Sequence, residues 1–222
     1  MLRLIPILLL AGCALASEPD ATELIRRSVA NDESRLDSPE ARYEFTEHAL
    51  TRNLDDSGRL RSTSSRTRDI KMADYQTRRD RYRKAVREIP DAFLFRLVGE
   101  ERIHSRPAWI VEATPRPGYE PVDRNSKLYT KVKARIWIDK AEGRWARIEA
   151  ELLDTVTFGW ILVRIHKGSR VRMTQEPVNG EAWLPRELWY NVSLRIGLLS
   201  FRRMEVEAKY GDYRPLDGQP HP

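Results

Sequence analysis

The first apolar pattern in the chain has helical spacing. Leu24, Ile25 and Val29 fall on one face of a helix, and Asp20 stands where an N-terminal capping residue is expected. The apolar pattern fades from Asn31 onward. This segment therefore predicts a short amphipathic helix near the start of the folded chain.

A second helical pattern spans Lys71 to Ile89, where apolar residues recur three, four or seven positions apart. Pro90 is expected to end this helix, because proline supplies no backbone donor. Two interpretations follow: a lid or membrane-facing helix, and a helix docked on a sheet with a solvated charged face, which is favoured. Its outer face is basic and consists of Lys71, Arg78, Arg81, Arg83, Lys84 and Arg87.

Most of the remaining chain has a period of two. Tyr43 and Phe45 alternate with polar neighbours, turn residues follow at 54–58, and an exposed return strand is expected over 59–68. The longest alternation runs from Leu188 to Ile196. About eight or nine short strands joined by tight turns predict one large antiparallel sheet, which tends to curl. Together with two helices, this predicts an α+β fold.

The apolar residues of these strands share one face of the predicted sheet. If the helices cover only part of that face, a concave region remains that would hold an acyl chain, at roughly 0.8 kcal/mol per buried methylene. The alternative is a sheet that its helices cover completely, and both alternatives stay open. The candidate cavity residues are Phe93, Phe95, Trp109, Ile136, Ile148, Leu188, Tyr190, Leu194 and Val206, and the candidate rim residues are Phe158, Trp160 and Leu162.

Residues 1–16 have the order of charges and apolar residues that is typical of a secretory signal. Arg3 precedes an apolar run of about eight residues, far short of the roughly 20 that a membrane-spanning helix needs. Cleavage after Ala16 would make Ser17 the first residue. The segment ending in Cys13 instead resembles a bacterial lipobox, in which Cys13 becomes the lipid-carrying first residue. Both alternatives stay open.

Residues 17–222 are long enough for one domain with a sizeable core, and a single domain is predicted. The full chain has 39 basic and 33 acidic residues, and the two signs are interspersed. Such mixing indicates a solvated surface, whereas nucleic-acid binding needs basic residues clustered on one face. No nucleic-acid partner is therefore expected, although the modest positive charge favours anionic lipid headgroups.

The sequence offers no specific catalytic or metal-binding motif, so no enzyme activity, cofactor or metal is expected. Glu149 and Glu151 form the most obvious carboxylate pair. They alternate outward on a predicted strand beside basic strands, which indicates cross-strand ion pairs and not acid–base chemistry. Four histidines lack the spacing of metal ligands: His48, His104, His166 and His221.

Four segments carry a resemblance to a known family. They are Ile89 to Pro121, Ile136 to Leu152 with its WID and RIE motifs, Asn179 to Ile196 with a WLP strand opening, and Lys209 to Arg214. Their residues and order resemble the bacterial outer-membrane lipoprotein-sorting family, which has the LolA/LolB-like fold.

This resemblance implies a half-open antiparallel barrel whose concave face is covered by helices. It also implies a hydrophobic cavity for lipid or for the acyl chains of lipoproteins, in a protein of the periplasm or outer membrane. The expected function is lipid or lipoprotein binding, in lipoprotein sorting or a related process, with membrane-surface contact through the basic helix. The alternative is an envelope structural or stress-sensing module without a ligand cavity.

Overall fold

The computed structural model describes residues 18–35, 43–71, 79–122, 126–158, 163–180, 182–197 and 200–216. Two α-helices, one 3₁₀ helix (Ser126–Lys131) and eleven strands lie in these ranges. Their bounds are α1 Ala21–Arg35, β1 Tyr43–Leu54, β2 Leu60–Lys71, α2 Arg79–Ala92, β3 Phe93–Ile103, β4 Arg106–Pro115, β5 Val132–Asp139, β6 Trp145–Leu152, β7 Val156–Phe158, β8 Val163–Ile165, β9 Arg170–Val178, β10 Ala182–Ile196 and β11 Ser200–Pro215.

Helix α1 begins where the sequence predicts. The Asp20 carboxylate accepts the backbone N–H of Glu23 at 2.8 Å, and the Asp20 carbonyl accepts that of Leu24. This N-cap satisfies donors that have no partner within the helix. Ile25, on the predicted apolar face, is only 2% exposed.

The predicted hairpin is also confirmed, and it is formed by β1 and β2. The Asp55 carboxylate accepts the backbone N–H groups of Ser57 and Arg59, both at 2.9 Å, and Gly58 supplies a φ of 86°. These contacts are typical of Asp and Gly in tight turns. From the turn onward, β2 runs antiparallel beside β1 to the end of the pair.

The prediction of a helix over Lys71 to Ile89 is wrong at both ends. Lys71 is the last residue of β2, and α2 continues through Pro90 to Ala92. Residues 72–78 lie outside the described part of the chain. The amino-terminal part of the predicted basic face, including Arg78, is therefore not described.

The Arg116 side chain caps the end of α2, beyond its proline. Its guanidinium donates to the carbonyl oxygens of Asp91 and Phe93, both at 2.8 Å. The last carbonyls of a helix lack partners within the helix, and a cation there satisfies them. Arg116 thereby supports the last turn of α2, which lies beyond Pro90.

All eleven strands belong to one antiparallel sheet, as the alternation of residues predicts. The order is β2-β1-β11-β10-β9-β6-β5-β4-β3, and the short strand β8 pairs with both β7 and the end of β10. Among the described strands, the first and last of this order do not pair, so the sheet is not closed into a barrel. The sequence prediction of eight or nine strands is too low, because β7 and β8 have only three residues each and show no clear period.

Cross-strand register assigns the residues to two faces. Ile136 lies opposite both Val111 and Ile148, and Ile148 lies opposite Met173. We call this side the apolar face. Residues one position along occupy the other side, which we call the charged face; Arg135, for example, lies opposite both Glu112 and Glu149.

The helices pack on the apolar face of β3, β4 and β5. Ile25 of α1 lies in one cluster with Val111 and Ile138, both of which are 0% exposed, and Ile89 of α2 packs against that cluster. Tyr129 of the 3₁₀ helix packs beside α2 and donates its hydroxyl to a carbonyl of that helix at 2.9 Å. This end of the sheet is a closed hydrophobic core.

The turn between β5 and β6 is held by a buried carboxylate. Asp139 is 1% exposed and accepts two hydrogen bonds from Arg106, at 2.7 and 2.9 Å, and the backbone N–H groups of Ala141 and Glu142. Burial by itself raises the pKa of the Asp139 carboxyl, but these hydrogen bonds outweigh it and hold the pKa below its ordinary value of 3.8. The Arg106 guanidinium also lies over the Trp183 ring.

We expect Asp139→Asn to lower the free energy of unfolding by about 3 kcal/mol, because it leaves the Arg106 charge without its buried partner. Urea denaturation at pH 7 measures this. The stabilisation from a carboxyl with a lowered pKa is present above its unfolded-state pKa and is lost as pH falls through the folded-state value. The difference between wild type and variant should therefore shrink in strong acid.

Glu149→Gln is the control, since Glu149 makes its ion pair on the half-exposed charged face, where about 1 kcal/mol or less is expected. Equal losses for the two variants would contradict the assignment of Asp139 as a buried clamp.

Candidate functional site

Beyond the helices the apolar face continues across β6, β9, β10 and β11. Met173 lies between Ile148 and Leu188, and Tyr190 lies opposite Val206, so these side chains meet in unbroken cross-strand rows. We call this region the apolar strip. It consists of Ile148, Val171, Met173, Leu188, Tyr190, Val192, Leu194, Met204 and Val206.

The apolar strip is less completely buried than the core under the helices. Val206 is buried, but most of the strip is half-buried, and Met173 is 37% exposed. Val111 and Ile138, on the same face of the same sheet, are fully buried. Apolar surface that is continuous with a core yet reaches solvent is typical of binding sites.

The predicted cavity residues divide between these two regions. Five of them, Ile148, Leu188, Tyr190, Leu194 and Val206, lie in the apolar strip. The other four are placed towards the helix-covered end of the sheet. That division follows from the strand order, which the sequence does not reveal.

Phe93, Phe95 and Ile136 pack in the core below α2 and the 3₁₀ helix, where the Phe93 and Tyr129 ring centroids are 5.6 Å apart. Trp109 lies opposite Ile138 and is half-buried. The Lys140 ammonium lies 3.5 Å from the centre of the Trp109 ring, which is a cation–π contact.

Of the predicted rim residues, only the backbone of Phe158 lies within the described part of the chain. Phe158 ends β7, with its side chain outside the described part of the structure, and Trp160 and Leu162 lie in the undescribed residues 159–162. Strand β8 pairs with Leu194 to Ile196. The β7–β8 pair is therefore next to the Leu194 end of the apolar strip. Cys13 also lies outside the described residues.

The charged face carries a ladder of ion pairs. Glu112 accepts hydrogen bonds from Arg96 on one side, at 2.6 Å, and from Arg135 on the other, at 2.7 Å. Arg172 donates to Glu149 at 2.7 Å. These hydrogen bonds hold the pKa of Glu112 below its ordinary value, and the bond from Arg135 contributes most.

The expectation of cross-strand ion pairing at Glu149 and Glu151 is confirmed. The Glu151 carboxylate lies 3.3 Å from Lys133 and 3.5 Å from Arg170, and these cations hold its pKa below the ordinary value. A general acid needs a raised pKa, and this arrangement lowers it. The ladder is therefore suited to aligning strands.

A groove of about 460 Å³ lies over the charged face, between the ion-pair ladder and Trp189. Sequence reasoning missed this groove. In the sequence, its only signal is the alternation of charged residues along successive strands. Strand pairing must bring those residues together before a groove exists. The lining combines an aromatic ring with four cations and three carboxylates, so the groove has no single sign of charge to select an ion.

Within the described ranges, no group of three or more His, Cys, Asp or Glu side chains is placed to hold a metal ion. Across the same ranges, no helix is both long and apolar enough to cross a membrane.

Several solved structures are similar to this chain. A protein described as an outer membrane lipoprotein-sorting protein domain from Vibrio parahaemolyticus is 10% identical, with 90% of this chain and 94% of that chain covered and a TM-score of 0.40. A LolA superfamily protein from Nitrosomonas europaea is 13% identical, with 91% and 96% covered and a TM-score of 0.32. MucB of Pseudomonas aeruginosa, in its complex with MucA, is 12% identical, with 89% and 99% covered and a TM-score of 0.29.

All three neighbours share 13% identity or less with this chain, at TM-scores of 0.40 or less. Likeness at this level does not assign a function to the chain. No family model and no curated protein matches the sequence.

The difference between the sealed core and the apolar strip predicts unequal costs of truncation. Ile25→Ala should lower the free energy of unfolding by about 2–5 kcal/mol, because it leaves a cavity in closed packing. Met173→Ala should cost only about 1 kcal/mol, since part of that side chain already meets solvent. Urea denaturation of both variants measures the difference, and equal costs would show that the strip is packed as tightly as the core.

Proposed function

We propose that this chain is a cell-envelope protein that binds the acyl chain of a lipid or lipoprotein against the apolar strip. The observation that supports the proposal is the half-buried state of the strip, in direct continuity with a core that is fully sealed elsewhere on the same face. A groove that an acyl chain fills needs apolar side chains that retain access to solvent.

The dimensions of the apolar strip suit a single extended chain. Four neighbouring strands spaced about 4.8 Å apart give a width of about 14 Å. Each methylene that leaves water contributes roughly 0.8 kcal/mol, so a chain of ordinary length gains several kcal/mol before its loss of freedom is subtracted. Met173 and Met204 lie in the strip, and methionine side chains adapt to ligands of different shape.

In this proposal the sheet is a half-open barrel, and α1 and α2 lie over its concave face beside the strip. The two helices are linked by an ion pair between Arg87 and Glu33. Arg87 stays largely exposed, and Lys84 is exposed on the same helix. These cations of α2 are suited to meeting anionic headgroups when an acyl chain is collected or delivered.

Leu194→Glu should weaken binding of a dansyl-labelled fatty acid at least tenfold, which is about 1.4 kcal/mol, because a carboxylate would stand in the apolar strip. The variant is expected to fold, since Arg202 lies directly opposite on β11 and supplies a partner for the new charge. Fluorescence titration of protein purified without detergent measures the affinity.

Ser193→Glu is the matched control. It lies one position away on the charged face and also faces an arginine, Arg203, whose Nε donates to the Ser193 hydroxyl at 3.2 Å. Wild-type affinity is expected for this variant. If folded Leu194→Glu protein binds as well as wild type, or if wild type binds no fatty acid, the interaction-module alternative replaces this proposal.

We also propose export, followed by one of two maturation routes. Intact-mass measurement of the protein purified from bacterial envelopes distinguishes them, because cleavage before Ser17 gives an unmodified chain whereas maturation at Cys13 adds lipid. Cys13→Ser should release the protein from membranes only in the second case. A full-length chain retaining residues 1–16 would contradict both routes.

A further inference from the structure

The outer edge of β2 is an exposed sheet edge of unusual length. Strand β2 begins the strand order and pairs along its length with β1. Ten consecutive residues, Leu60 to Asp69, are exposed. Strand β2 has twelve residues in all, about twice the usual strand length, and its outer edge presents a row of backbone groups about 37 Å long.

In the part of the chain that the structure describes, this edge lacks the common structural protections of exposed strands. β2 contains no proline or glycine, and its single register shift against β1 lies at the turn, where Leu54 meets Leu60. From Ser62 to Lys71 the pairing is regular. Proteins usually block such an edge with a proline, a bulge or a covering element, because an open edge accepts another strand.

Within the described ranges, the protection that β2 carries is positive charge. Four basic residues stand against one acidic residue: Arg61, Arg66, Arg68 and Lys71 against Asp69. Edge pairing of two copies of β2 would bring eight cations together with two carboxylates. Like charges across a strand pair are destabilising, so this charge pattern opposes self-association and favours an acidic strand.

Two of these cations are held in place by a buried carboxylate. Glu47 on β1 is 4% exposed and accepts hydrogen bonds from Arg68, at 2.7 and 3.1 Å, and from Arg66 at 3.2 Å. One carboxylate therefore orients two guanidinium groups. Because two cations meet one carboxylate, the cluster keeps a net positive charge. The contacts anchor the side chains of β2 while its outer backbone edge remains exposed.

We infer that β2 is a docking edge for an extended acidic segment of a partner protein, which adds to the sheet as a further strand. Backbone hydrogen bonds supply the affinity, and the cations of β2 select acidic side chains. The inference does not rest on acyl-chain binding, because the apolar strip is centred on other strands.

The test uses the full mature chain and a fluorescein-labelled twelve-residue peptide of alternating glutamate and threonine. We expect saturable binding by fluorescence anisotropy, together with slower hydrogen exchange of backbone amides in residues 60–71. The same peptide N-methylated at alternate residues keeps its charge but loses backbone donors, and it should bind at least tenfold more weakly. Equal binding of both peptides would overturn strand addition.

Arg61→Glu should weaken the acidic peptide about tenfold. Lys127→Glu, the same charge change on the exposed 3₁₀ helix, is the control and should bind as wild type does. Two further results would overturn the inference. One is a dimer in sedimentation velocity that depends on β2. The other is that wild type binds phosphatidylglycerol vesicles but not the peptide, and Arg61→Glu loses the vesicle binding.

Discussion

Register between antiparallel strands is the constraint on which both faces of this protein depend. Side chains alternate along a strand, so a slip of one residue would exchange apolar and charged faces. A single register therefore fixes both the pairing of Ile136 with Ile148 and the pairing of Arg135 with Glu149. The ion pairs of Glu112, Glu149 and Glu151 favour this register, because slipping by one residue would separate every carboxylate from its cations.

The same alternation of side chains separates the residues that stabilise the fold from those that can contact other molecules. On the charged face, carboxylates are neutralised by arginine or lysine, and at the end of the sheet Asp139 and Arg106 close a turn. These contacts use their charges within the fold. Among the described residues, the surfaces that stay accessible include the half-buried apolar strip on one face and the backbone of β2 at one edge.

Local patterns predicted most elements because their causes are local. Asp20 caps α1 through a residue three positions away, and the Asp55 turn needs only its own neighbours. The prediction failed where a distant residue intervenes: Arg116 supports the last turn of α2 beyond Pro90. For the same reason, the shared face of the nine candidate cavity residues was predictable, whereas their division between core and strip was not.

A period of two is a local property of each strand, so the amino-acid pattern alone was enough to predict a large antiparallel sheet with one apolar face and a second face that is largely charged. That the helices seal Val111 and Ile138 but leave Met173 in contact with solvent became visible only in the folded protein. The tertiary structure also places β2 at an open edge. Strand order and helix docking depend on contacts between residues far apart in the chain, and no local pattern encodes them.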